Sequence, residues 1–152
     1  MGTKGTERRP SIKTRDGFRL ELAARQSALE KTLRRYEEFG RARRIPAAAR
    51  RAGHLALDEI VSNIIRHGRG SRESRRISVA VTLDSGILII KVVDNGAPFD
   101  PLAVVTPLAR GSVLVRPSGG LGIRLVKALM DELRYRRRDR RNHLVMKRRL
   151  DG

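Results

Sequence analysis

The chain has no cysteine and no tryptophan, only three histidines, and 16 acidic residues against 34 basic ones. Each scarcity removes a class of function. Without cysteine there is no disulfide framework, no thiol nucleophile and no thiolate metal site. Three scattered histidines do not fill a His-rich metal centre. Aromatic residues make up 3% of the chain, so the core has to be built from Leu, Ile, Val and Ala. The same scarcity leaves no platform on which single-stranded bases stack. No apolar run reaches the roughly 18 residues of a spanning helix, and the N-terminus lacks the apolar centre of a secretion signal. The expectation is a soluble, cytoplasmic protein. Met1-Gly2-Thr3-Lys4-Gly5-Thr6 fits the myristoylation pattern formally, as short patterns do by chance.

What is present is one domain's worth of chain: 152 residues, 39% of them hydrophobic. A domain of this size buries roughly 70% of its unfolded surface and closes a core without staples. The formal net charge is +18. Such a balance suggests an acidic partner, whether nucleic acid, anionic membrane or protein. Yet 28 of the basic residues are Arg and 6 are Lys, a bias that coding produces as readily as selection for phosphate contacts. The charge alone names no partner. Its densest cluster, Arg136–Arg141, is a candidate surface for selecting one.

Residues 1–17 are polar and basic and read as a flexible tail ahead of a single domain over 18–150. Phe18–Leu22 alternates as a short strand. Ala23 to Phe39 is amphipathic and helical, with Gly40 as its stop. Ala47 to His67, behind Pro46, is a second helix stopped by Gly68. Ile77–Leu83 and Ile87–Val93 form a hairpin about Asp84-Ser85-Gly86. Residues 94–120 have no clear periodicity and carry Pro98, Pro101, Pro107 and Pro117. A segment of this kind inside a compact domain is usually a lid or binding loop. Leu121–Met130 is a third helix, and Leu133–Arg137 and His143–Leu150 are strands around a basic turn at 138–142. The order predicts an α+β, two-layer sandwich: one mixed, mostly antiparallel sheet with helices on one face.

Four features carry chemistry. Glu59, Asn63 and His67 recur at i, i+4 and i+8 on the second helix and share one face, near the side opposite part of the Leu57/Ile60/Ile64 stripe. A carboxylate and a carboxamide so spaced offer a base and a hard oxygen ligand of the kind Mg²⁺ takes. The bland alternative is the polar flank of a surface helix. Asp94-Asn95-Gly96 ends an apolar strand; an acid there accepts a hydrogen bond from a ligand amine, while glycine lets the backbone come close. A plain turn explains it equally well. Ser118-Gly119-Gly120-Leu121-Gly122 precedes a helix whose start favours phosphate, although it matches neither the Walker nor the Rossmann pattern. The Pro-rich segment between these last two is placed to close over a ligand, or to be a passive surface loop.

Taken in order, these features resemble the GHKL, or Bergerat-fold, ATP-binding superfamily. Glu59-x-x-x-Asn63 resembles its N box, Asp94-x-Gly96 its G1 box, and Gly120-x-Gly122 its G2 box. Within it the chain is most similar to the short anti-sigma-factor serine kinases of the RsbW/SpoIIAB type. The resemblance implies ATP and Mg²⁺ as cofactors. Asn63 would hold the metal and Glu59 would serve as general base toward a substrate serine. Asp94 would recognise the adenine amino group, with Gly96 giving the base room. Gly119, Gly120, Leu121 and Gly122 would wrap the phosphates, and His67 and Arg116 would meet their charge. It also implies a circuit: the protein sequesters a sigma factor, phosphorylates a STAS-domain antagonist and forms a homodimer, with no direct contact to nucleic acid or membrane. One departure stands out. Many members place a threonine after a glycine in a late strand to help bind adenine, whereas this chain has Arg141-Asn142-His143. An ATP-binding regulator that sequesters a protein without phosphate transfer is the alternative. A basic nucleic-acid-binding protein is a third reading, disfavoured by the missing aromatics.

Overall fold

A computed structural model describes residues 16–68, 74–103 and 120–151. Five strands and three helices follow in the order β1 (Asp16–Ala23), α1 (Gln26–Ala42), α2 (Ala47–His67), β2 (Arg76–Asp84), β3 (Ile87–Asp94), α3 (Gly120–Leu129), β4 (Glu132–Arg138) and β5 (Arg141–Arg149). The strands form one sheet in the order β1-β2-β3-β5-β4, and every pairing in it is antiparallel. The α+β two-layer sandwich expected from the sequence is the fold found. The first strand begins at Asp16, so Asp16 and Gly17 belong to the sheet, paired with Leu83 and Thr82. Residues 1–15, the rest of the expected tail, lie outside the described residues.

Alternation places Ile77, Val79 and Val81 of β2, Leu88, Ile90 and Val92 of β3, and Leu144 and Met146 of β5 in the core. Ala49, Ala52, Ala56, Leu57, Ile60 and Val61 of α2 meet them. Two hairpins hold the sheet's order through two-residue turns with positive φ at both positions: Ser85-Gly86 and Asp139-Arg140. Such turns match the twist of the flanking strands. The second contains no glycine, and the sequence reading made it too wide. β5 therefore starts at Arg141 rather than His143, which brings Asn142 into the ladder opposite Asp94.

Gly40 does not stop α1, which runs on to Ala42. It is buried, and a Cβ there would sit 2.8 Å from Arg50 Cδ, so this glycine serves the close approach of α1 and α2. Gly53 serves the same contact. A Cβ on it would overlap the hydroxyl of Tyr36, which is fully buried and donates to the Arg50 carbonyl at 3.0 Å. Burial pushes the Tyr36 phenol pKa well above its ordinary value. Alanine in a helix interior gains about 1 kcal/mol over glycine, but overpacking a core takes away about 1–3 kcal/mol and the displaced hydroxyl about 1 more. Gly53→Ala is expected to lower stability by about 1–3 kcal/mol, read as a fall in the urea midpoint; a rise would show that Tyr36 gives way freely.

Candidate functional site

α2 ends at His67 and β2 begins at Arg76, and a buried arginine just ahead of the strand fixes the helix end. Arg75 is 6% exposed. Its guanidinium donates to the Ile64 carbonyl at 3.1 Å, which also accepts from the Gly68 amide at 3.0 Å, and to the Ile65 carbonyl at 3.4 Å, a cation at the negative end of the helix. Gly68 stops α2, as expected from the sequence. Its φ of −62° would suit any residue; the site requires glycine because a Cβ would overlap the Arg75 guanidinium. Arg75 was not singled out in the sequence, since an arginine among so many carries no signal.

The helix so fixed presents Asn63 inward. The bland alternative, a polar flank, is not what is found, and the placing near the side opposite the apolar stripe is corrected: Asn63 is 4% exposed and lines a recess together with Ile60 and Ile64. Its side-chain oxygen and nitrogen are both buried and, among the described residues, neither has a hydrogen-bond partner. A buried polar group left in that state costs about 1–3 kcal/mol, a cost that a ligand atom bound there would relieve. His67, one helical repeat on, is exposed at the rim. Glu59, one turn before Asn63, is half-buried. A Cβ at Gly122 would overlap its carboxylate, which places that carboxylate against the first turn of α3. An anion is favoured there.

The facing wall is the end of β3. Asp94 Oδ1 accepts from the Gly96 amide at 2.9 Å and from Asn142 Nδ2 at 3.1 Å. Burial raises the Asp94 carboxyl above its ordinary value, although the Gly96 amide, the Asn142 amide and, at longer range, Arg137 and Arg75 pull the other way. Asn142 is itself buried and takes further hydrogen bonds from Tyr135 and Arg137. Arg137 also donates to the Gly96 carbonyl at 2.8 Å. Of the basic cluster, Arg136 and Arg138 are exposed while Arg137 turns into the site. The signal for Asn142 was available: Asn142, Leu144 and Met146 alternate onto one face, once β5 is extended by two residues.

Between these walls opens a cleft of about 680 Å³, whose sides include Asn63, His67, Asp94, Gly96, Phe99 and Asn142. At its floor is a small recess of about 30 Å³ with Ile60, Val92 and Leu144 around the Asp94 carboxylate. The structure thus brings Asn63, His67, Asp94 and Gly96 to one cleft and joins Glu59 to Gly122 beside it. Gly120 and Leu121 open α3. Gly119 and Arg116, with residues 104–118 of the expected lid, lie outside the described residues. Among the described residues no three His, Asp or Glu side chains cluster to hold a metal, and no helix is long and apolar enough to cross a membrane. A divalent cation here would need oxygens from a ligand as well as Asn63. An orphaned, buried carboxamide oxygen fits that requirement.

Comparison with known proteins bears on the family and the fold. The family model described as a histidine kinase-like ATPase domain matches residues 22–148. The chain is 36% identical over 93 residues to the serine/threonine-protein kinase BtrW of Bordetella bronchiseptica, a stretch covering 60% of this chain and 65% of that kinase. The fold is similar to a crystal structure of the RsbU and RsbW domains of a Mycobacterium tuberculosis protein, with a TM-score of 0.63 and 16% identity over 88% of this chain and 31% of that one. It is also similar to the histidine kinase domain of a blue-light activated kinase from Erythrobacter litoralis, with a TM-score of 0.52 and 20% identity over 70% and 46% of the two chains.

Proposed function

Because the chain belongs to the family of histidine kinase-like ATPase domains, we propose that it is an ATP- and Mg²⁺-dependent serine protein kinase and anti-sigma factor of a partner-switching system. It would phosphorylate a STAS-type antagonist and sequester a sigma factor, as a homodimer. The observation that carries this reading is Asn63, buried with both polar atoms unpaired on the wall facing Asp94, in a chain 36% identical to a serine/threonine kinase over the matched stretch.

The residues have these roles in the proposal. Ile60, Val92 and Leu144 receive the flat apolar base, and the Asp94 carboxylate accepts from its amino group. Gly96 leaves the backbone close to the ring. Asn63 Oδ1 would hold Mg²⁺, whose charge would offset that of the phosphates. The backbone amides of Gly120, Leu121 and Gly122 at the start of α3 and the side chain of His67 would meet the remaining phosphate charge, a role the resemblance gives also to Gly119 and Arg116. Glu59 orients the attacking serine hydroxyl and accepts its proton. Phosphoryl transfer depends mostly on positioning and charge neutralisation, so this modest set suffices.

Asn63→Ala is expected to bind ATP without Mg²⁺ about as the unmodified protein does, and to lose the strengthening of about tenfold or more that Mg²⁺ provides. Titration with and without EDTA reads this; an unchanged Mg²⁺ effect would remove Asn63 from the metal site. The function itself is tested with γ-labelled ATP, Mg²⁺ and a STAS-domain protein bearing a serine. Label on that serine supports the kinase. Tight ATP binding with no transfer supports the sequestering module instead.

A further inference from the structure

We propose that Asn142 is the positioning residue that gives the cleft its choice of base, an inference that rests on reading Asp94 as the acceptor for the adenine amino group. A carboxamide has two N–H donors and two lone pairs on its oxygen. Asn142 has committed all of them within the protein. Nδ2 donates to Asp94 Oδ1 at 3.1 Å and to the Ala97 carbonyl at 2.9 Å. Oδ1 accepts from the Tyr135 hydroxyl at 2.6 Å, from Arg137 at 3.1 Å and from the Phe99 amide at 3.3 Å. Rotating the amide by half a turn would set NH₂ against three donors and oxygen against two acceptors, so its orientation is fixed by its neighbours. A side chain so saturated has no group left for a ligand.

Its effect passes through Asp94. The Gly96 amide and Asn142 both occupy Oδ1, and among the described residues no hydrogen bond reaches Oδ2. Oδ2 is therefore the acceptor that the carboxylate offers the cleft. A carboxylate oxygen accepts and cannot donate, so it welcomes an exocyclic amine and rejects a ring carbonyl. On the ATP reading, that amine is the 6-amino group of an adenine nucleotide. The same amide fastens Ala97 and Phe99, and Arg137 fastens Gly96. The base-reading carboxylate and the root of the Pro-rich segment are thereby one unit, which a lone threonine hydroxyl, with one donor, cannot assemble.

The test compares ATP with purine riboside triphosphate, which lacks the 6-amino group, in the unmodified protein and in Asn142→Asp and Asn142→Ala. Circular dichroism establishes folding, and the alanine variant carries the test alone if the aspartate variant does not fold. The unmodified protein is expected to prefer ATP by at least about tenfold. In a folded variant the preference should fall to within about twofold, and in Asn142→Asp the acid limit of ATP binding should move to higher pH, because a second carboxylate faces Asp94. A residue that merely supports the fold would weaken both ligands alike and leave their ratio intact. A retained preference in the folded variants overturns the role of Asn142. No preference in the unmodified protein overturns the reading of Asp94 on which it rests.

Discussion

Asp94→Asn is expected to weaken ATP binding by about 10–150-fold, the range given by the 1.5–3 kcal/mol of a hydrogen bond to a charged group, and at the same time to raise the melting temperature at neutral pH. The two effects have one cause. Burial lifts the Asp94 carboxyl above its ordinary value of 3.8, so the ionised form is held in the fold against its own preference. The sign follows from linkage. The stability that Asp94 contributes is complete below pH 3.8, where it is protonated folded and unfolded alike, and is lost as pH rises through its raised value. Asparagine keeps an oxygen for the Gly96 amide and carries no charge. The gain is about 1 kcal/mol, typical of relieving a functional site, or about 2–4 °C. The difference between the two proteins should close as pH falls through that window, while ATP binding by the unmodified protein weakens over the same range. Calorimetric melting from neutral to acid pH reads the first, and titration the second. A lower melting temperature in the variant would mean that Asp94 is placed for stability.

Glu59→Gln is expected to lower phosphate transfer by about 10²–10⁴-fold, the usual contribution of a positioned general base, and to leave ATP affinity within about twofold. The structure gives the separation. Glu59 meets Gly122 at the start of α3, whereas the cleft walls are formed by Asn63, Asp94, Gly96 and Asn142. Glutamine preserves the size of the group and its contact with α3 while removing its capacity to take a proton. Single-turnover transfer to a serine-bearing partner, measured beside ATP titration, distinguishes the two. Equal transfer in the variant would remove Glu59 as base. A parallel loss of binding would make it part of the nucleotide site.

The sequence reading went furthest where a side chain's period coincides with its task. Alternation in Ile77–Leu83 and the strongly apolar run Ile87–Val93 marked both strands and, through them, the place of Asp94 at the end of β3. Asn63 was found by its spacing from Glu59, but its burial was not. A polar residue next to an apolar stripe looks solvated until the partner layer is known, and here β3 and β5 lie over it. Asn142 was missed for a local reason: Asp139 and Arg140 adopt φ of 50° and 58° without glycine, and an arginine in that conformation carries no compositional mark. Arg75 and Arg137 were hidden by number, since 28 arginines make any one of them look like surface charge. Gly40 and Gly68 read as punctuation; only Gly68 ends a helix, and both, like Gly53, make room for another side chain.

The central claim is that the cleft between α2 and β3 binds ATP, and a titration of the ¹⁵N-labelled protein with ATP and Mg²⁺, followed by nuclear magnetic resonance, tests it most directly. The account predicts saturation at one nucleotide per chain, strengthened by Mg²⁺, with the largest shifts at the Asn63 side-chain amide, Gly96 and the Asn142 side-chain amide. Absence of saturable binding, or shifts confined to residues away from that cleft, would contradict it.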